Sequence, residues 1–144
     1  METFTEFGYI GLFLSSFLAA TILPMSSEIV LSILLLNHLN PAMLVGVATC
    51  GNVLGSFTNY AIGIWGSAYL TEKILKISEE EFCAAKKRFQ KYGVLSLFFA
   101  WVPVVGDPLT VVAGALRVNI NLFLILVTAG KLVRYLFISY AVLL

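Results

Sequence analysis

The sequence predicts an all-α integral membrane protein made of two related halves, and three observations carry that prediction. The chain of 144 residues is 60% hydrophobic and 12% charged, with mean hydropathy +0.96. Soluble domains carry about a quarter charged residues, so a soluble domain is excluded. Four long apolar tracts divide the chain, and the first and third are each interrupted near the middle by a proline and an acid. Features of the first half also recur 79 positions later: Pro24 and Pro103, Glu28 and Asp107, Asn40 and Asn119, Gly51 and Gly130.

The first tract runs from about Gly8 to Leu36 and is interrupted by Pro24-Met-Ser-Ser-Glu28. Proline removes a helical donor and clashes with the preceding turn, so a helix breaks there. Broken backbone at membrane depth survives only where protein buries it or a wet cavity satisfies it. The tract is therefore either two short arms of a re-entrant hairpin or one kinked span. The second tract, from Pro41 to about Gly66, is long enough to cross about 30 Å of hydrocarbon as one helix. Gly51 and Gly55 form a GxxxG contact that lets another helix approach closely, and Asn52, Ser56 and Asn59 make a polar stripe at helical spacing.

A polar linker follows at about 67–92. Lys73, Lys76, Lys86, Lys87, Arg88 and Lys91 are six of the nine basic residues, which places this segment on the cytoplasmic side. Ser78-Glu79-Glu80-Glu81 reads as a helix start, with Ser78 as cap and Glu81 closing a capping box. The helix is either a solvated connector or an interfacial helix with Phe82, Phe89 and Tyr92 in the headgroups and its lysines on anionic lipid. The third tract, Gly93 to Val118, is interrupted by Pro103-Val-Val-Gly106-Asp107-Pro108. The fourth, from about Asn121 to Leu144, is again a full span. The whole is a single membrane domain over 1–144, with one repeat at about 8–66 and the second at about 93–144. A hairpin plus one span crosses an odd number of times, so the two repeats would be inverted relative to each other.

Charges inside apolar tracts mark the candidate site. A charge at the bilayer centre costs roughly 2.5–3.5 kcal/mol on insertion scales, so such residues pair, line a cavity or carry a transported group. Glu28 and Asp107 are the candidates for proton or charge coupling. Lys131 and Arg134 lie three apart on one helix face, flanked by Thr128 and Tyr135, and are candidates for binding an anion, together with Asn52. Arg117 is either a phosphate ligand, since guanidinium forks match phosphate, or an ordinary interfacial arginine. Pro24, Pro103, Gly106 and Pro108 form the breaks, and Gly51, Gly55 and Gly130 the close packing. The structural alternative is that the two acids simply pair with Lys131 and Arg134 to hold the bundle together.

The other signals are negative. The net charge of +1 points to neither nucleic acid nor an acidic partner. The N-terminus carries Glu2 and Glu6 and no basic residue before its apolar run, unlike a cleavable secretory signal. Cys50 and Cys83 lie in unlike surroundings and read as two inert thiols. His38, beside Asn37 and Asn40, reads as an interfacial hydrogen-bonding residue rather than a metal ligand. No metal or other cofactor is expected, and a membrane enzyme has little chemistry to draw on.

These residues also carry a family resemblance over nearly the whole chain. Pro24 to Glu28 followed by Gly51 to Gly66 resembles the first half of the DedA family, also called the SNARE-associated or VTT domain. Trp101 to Pro108, Ala113 to Arg117 and Gly130 to Tyr135 resemble its second half, closest to the small YqaA branch with W-x-P-x-x-G-D-P, A-G-x-L-R and G-K-x-x-R-Y. The resemblance implies a bacterial inner-membrane protein with two inward-facing re-entrant hairpins. It also implies an association with transbilayer movement of lipids, notably the polyprenyl-phosphate carrier, and with proton-motive-force dependence. The glutamate after the first hairpin's proline corresponds to Glu28 and the second hairpin's proline to Pro103. The family's R-x-x-P-x-x-R is departed from, with Ala100 and Gly106 in place of the arginines. Val127 stands for an asparagine, and Arg134 for a tryptophan. Positive charge sits instead at Lys131 and Arg134.

The expectation is therefore a transporter or flippase-like protein for an anionic lipid headgroup or small anion, with membrane lipids as partners and a homodimer as a reasonable assembly. The alternative is a non-transporting membrane assembly or stress-adaptor protein.

Overall fold

The computed structural model describes the backbone of residues 2–21, 26–66, 77–101 and 106–144, with side chains described over 6–20, 27–66, 77–99 and 108–144. These residues form helices α1 (Glu2–Thr21), α2 (Ser26–Leu36), α3 (Pro41–Trp65), α4 (Glu79–Tyr92), a 3-10 helix (Gly93–Trp101), α5 (Gly106–Ala115) and α6 (Ile120–Leu143). No strand occurs among them. Of the described helices, α3 and α6 are long and apolar enough to cross a membrane.

Local chemistry sets most of the boundaries. Asn40 caps α3, its side chain accepting from the Ala42 and Met43 amides, and Pro41 takes the first helical position, where its missing N–H costs nothing. Gly66 ends α3 in the left-handed region at φ 66°. Ser78 caps α4 by accepting from the Glu81 amide, as the capping-box pattern predicts. Asn119 caps α6 by accepting from the Asn121 amide.

The turn between α2 and α3 recurs between α5 and α6, 79 residues later. His38 and Arg117 both take positive φ, at 64° and 55°. The Leu39 amide donates to the Leu34 carbonyl and the His38 amide to Leu35; Val118 donates to Ala113 and Arg117 to Gly114. Both are Schellman closures, which satisfy carbonyls at the end of a helix. The packing partners also correspond. In the first half α1 lies against α2 and α3, and in the second the 3-10 helix lies against α5 and α6. Across the halves, α5 packs on α3 and α2 on α6.

The structure adds three details to the sequence expectations. The first tract divides into two helices of unequal length. Helix α1 has 20 residues, because Glu2 to Phe7 join it ahead of the apolar run, and α2 has only 11. The opening of the third tract is a 3-10 helix of nine residues rather than an α-helical arm. Helix α4 packs one apolar face onto protein. Ala85 and Phe89 are buried and Phe82 partly so, in a cluster with Leu97, Leu109, Val112 and Phe123. Tyr92 is exposed, with the Lys91 ammonium 5.3 Å from its ring centroid. Pro24 and Pro103 lie outside the described residues.

A second cluster joins α1, α2, α3 and α6 through Leu12, Leu31, Leu35, Leu44, Ala48 and Tyr135. Many large apolar side chains remain exposed, among them Phe7, Ile29, Ile125, Phe137 and Leu144. In water such a surface would be a liability, and facing lipid it carries no cost.

Candidate functional site

The charged centre forms where the start of α2 meets the middle of α6. Lys131 lies eleven residues into α6, about 17 Å along its axis, and is 1% exposed. Arg134 and Tyr135 follow on the same side, and Tyr135 is fully buried. Glu28 sits in the first turn of α2, where a carboxylate suits the helix dipole. Its Oε1 pairs with Nη2 of Arg134, both side chains being largely enclosed. The Arg134 guanidinium also lies 5.8 Å from the Tyr135 ring centroid. One residue before Glu28, the Ser27 hydroxyl and the Tyr135 hydroxyl share a hydrogen bond of 2.8 Å. Removing one member of a buried ion pair strands the other, at a cost of about 3–5 kcal/mol.

A second polar line runs between α1 and α3. Close approach is set by Gly51 and Gly55: a Cβ on Gly51 would come within 2.5 Å of the Phe13 carbonyl oxygen, and one on Gly55 within 2.6 Å of that of Phe17. Helix α1 is thus the element that lies against the GxxxG face of α3. The polar stripe of α3 faces the same way. Asn52 Nδ2 donates to the Ser16 carbonyl at 2.9 Å, and Asn59 Nδ2 to the Ala20 carbonyl at 2.9 Å and to Thr110 Oγ1 at 3.1 Å. Five buried side-chain oxygens of α1 and α3 have no hydrogen-bond partner: Ser16 Oγ, Thr49 Oγ1, Asn52 Oδ1, Ser56 Oγ and Asn59 Oδ1. An unsatisfied buried polar atom costs about 1–3 kcal/mol.

The remaining candidates fall elsewhere. Arg117 is exposed at the end of α5, in the left-handed cap position. Asn52 is committed to α1 through its amide. Asp107 lies in the first turn of α5, and its side chain is outside those described. Gly106 opens α5, and Pro108 and Gly130 are buried. Ser27 and Thr110 were not singled out from the sequence, where a lone hydroxyl beside a marked acid looks ordinary. Tyr60 was missed too; its hydroxyl donates to the Val118 carbonyl and its ring lies 4.7 Å from that of Phe123, fastening α3 to the α5–α6 turn. Among the described residues no three His, Cys, Asp or Glu side chains come together.

Residues 23–144 match the VTT domain family. The chain belongs to that family. It is 37% identical over 132 residues to "Inner membrane protein YqaA" of Escherichia coli (strain K12), covering 91% of this chain and 88% of that protein. An "Uncharacterized protein" of Haemophilus influenzae is 35% identical over 132 residues, covering 86% of this chain and 80% of that one. An "Alkaline phosphatase-like protein" of Lactococcus lactis subsp. cremoris is 27% identical over 146 residues, covering 92% and 68%. No solved structure matches. The VTT-domain chain is thus an inner-membrane protein of the DedA type, with α3 and α6 long and apolar enough to span. Lys131 and Arg134 of its charged centre lie on one of those two helices.

Proposed function

We propose that this VTT-domain protein moves an anionic lipid or a small anion across the inner membrane, coupled to protons. The observation that supports this most is the Glu28–Arg134 pair beside the buried Lys131 on α6. Buried pairs stabilise little compared with apolar packing, so stability alone is a weak reason to keep one at membrane depth. A protonatable partner gives the pair a use. Protonating Glu28 releases Arg134, and the guanidinium together with the Lys131 ammonium then forms a site for phosphate or another anion. Asp107, the counterpart of Glu28 at the offset of 79, is the second coupling group. The halves are inverted repeats, each a re-entrant hairpin and a span, with the linker on the cytoplasmic side.

Proteoliposome assays test this directly, one following a labelled anionic lipid and the other the efflux of a small anion. The wild type is expected to accelerate one of them over protein-free vesicles. Lys131→Ala and Glu28→Gln should each lower the rate at least tenfold. The double exchange Glu28→Arg with Arg134→Glu preserves a bridge, and should not restore transport. Full restoration by that exchange would make the pair structural, and no movement of either probe by the wild type would end the transport reading.

A second reading, a membrane assembly or stress-adaptor protein without transport, has one observation in its favour. Helix α4 turns its apolar side inward and leaves Lys86, Lys87, Arg88 and Lys91 exposed as a basic surface. Loss of function on replacing Lys86, Lys87 and Arg88 by alanine, with Glu28→Gln tolerated, would favour it.

A further inference from the structure

The five unpartnered oxygens, four on α3 and one on α1, belong to side chains no more than 6% exposed. Their spacing on α3 is regular. Thr49, Asn52, Ser56 and Asn59 step by three, four and three residues, which keeps them on one face over about 15 Å of the helix. Ser16 joins them from α1, through the carbonyl that accepts from Asn52. The four on α3 lie at least six residues inside either end of that 25-residue helix.

The usual resolution for a serine or threonine in a helix is a bond back to the carbonyl four residues earlier. This molecule uses it elsewhere: Thr58 donates to the Leu54 carbonyl at 3.0 Å and Ser32 to that of Glu28 at 2.8 Å. Ser16, Thr49 and Ser56 do not. The two asparagine oxygens have no such option, because a carbonyl oxygen only accepts. With Nδ2 held by α1 carbonyls, each Oδ1 is turned away from the bonds that fix its side chain and needs a donor from outside the protein.

We propose that the polar seam along α3, joined by Ser16 of α1, is a binding site for water molecules inside the membrane. Water is the occupant whose hydrogen-bonding chemistry matches these groups. It supplies donors to the two amide oxygens and both donates to and accepts from the three hydroxyls. Buried waters are held by two to four polar partners, and Asn52 and Ser56 lie one turn apart on α3, with Ser16 held to Asn52 through its carbonyl. A single metal cation fits poorly, since the five oxygens are neutral and spread over three turns rather than gathered round a point. At one end Thr49 also lines a groove of about 340 Å³ with Cys50, Val53, Leu54 and Thr128. At the other, Asn59 reaches Thr110, one turn beyond Asp107 on α5. The site is independent of what the protein transports.

Thiol hydrogen exchange tests it in the full chain. Ser56→Cys is introduced with Cys50→Ala and Cys83→Ala, and the infrared S–H band is followed after transfer into D2O. Val127→Cys in the same background is the dry reference, since Val127 is fully buried in an apolar cluster. A protein with only Cys83, which is exposed on α4, is the wet reference. The Ser56→Cys band should vanish as fast as that of Cys83, while Val127→Cys keeps its band for hours. Retention at Ser56→Cys as long as at Val127→Cys overturns the proposal. If that variant fails to fold, Thr49→Val decides, because it deletes one orphan oxygen at constant shape. In a hydrated seam it lowers the thermal midpoint, and a raised midpoint, the mark of a dry unsatisfied atom removed, overturns the proposal equally.

Discussion

His38 and Arg117 hold the left-handed backbone that closes α2 and α5, a position glycine fills at less cost. Each therefore carries a conformational penalty of about 1–2 kcal/mol. Arg117 is exposed, so replacing it removes no core contact. Arg117→Gly is expected to raise stability by about 1 kcal/mol, seen as a higher thermal midpoint in detergent, while Arg117→Ala keeps the Cβ and gives no such gain. A stabilised Arg117→Gly protein that no longer transports would assign the guanidinium a share in binding the anion. The same scale shows why the charged centre was only half legible in the sequence. Glu28, Lys131 and Arg134 stood out, because charges in apolar tracts are conspicuous. That Glu28 meets Arg134, with Ser27 on Tyr135, depends on how α2 crosses α6, and no local pattern encodes that crossing.

At the scale of elements, close helix contact is decided by glycines on both sides of α3. Gly51 and Gly55 face α1, and their spacing made that contact readable. Gly63 and Gly114 hold α3 against α5. A Cβ on Gly63 would collide with the Val111 carbonyl, and one on Gly114 with the Tyr60 carbonyl. The second contact carries no motif, since its two glycines belong to different helices. Gly114→Ala should destabilise by at least about 2 kcal/mol through overpacking of backbone on backbone. Gly46→Ala is the control: nothing lies within 4 Å of its added Cβ, so the midpoint should hold or rise by the helix-propensity gain. Equal effects of the two substitutions would mean that α3 and α5 do not approach as described. Helix ends were legible for a related reason, as Asn40, Ser78 and Gly66 act on their own backbone. The face of α4 was not, because Phe82 and Phe89 have the same spacing whether they meet lipid or protein.

For the whole molecule, the decisive question is whether the two equivalent turns lie on the same side of the membrane. The His38 and Arg117 turns share their hydrogen bonds at the offset of 79, and α3 and α6 follow them at matching positions. Inverted halves must place the turns on opposite sides, whereas halves repeated in parallel place them together. The basic linker fixes the sense: with Lys86, Lys87, Arg88 and Lys91 in the cytoplasm, α3 ends there and must begin at the periplasmic face. His38→Cys, in a background of Cys50→Ala and Cys83→Ala, should then react with a membrane-impermeant maleimide on intact spheroplasts. Arg117→Cys should react only after the membrane is opened, as should the lone Cys83 of the linker helix. Labelling of both turns from the same side would remove the inversion, and with it the alternating arrangement that coupled transport through Glu28 and Asp107 requires.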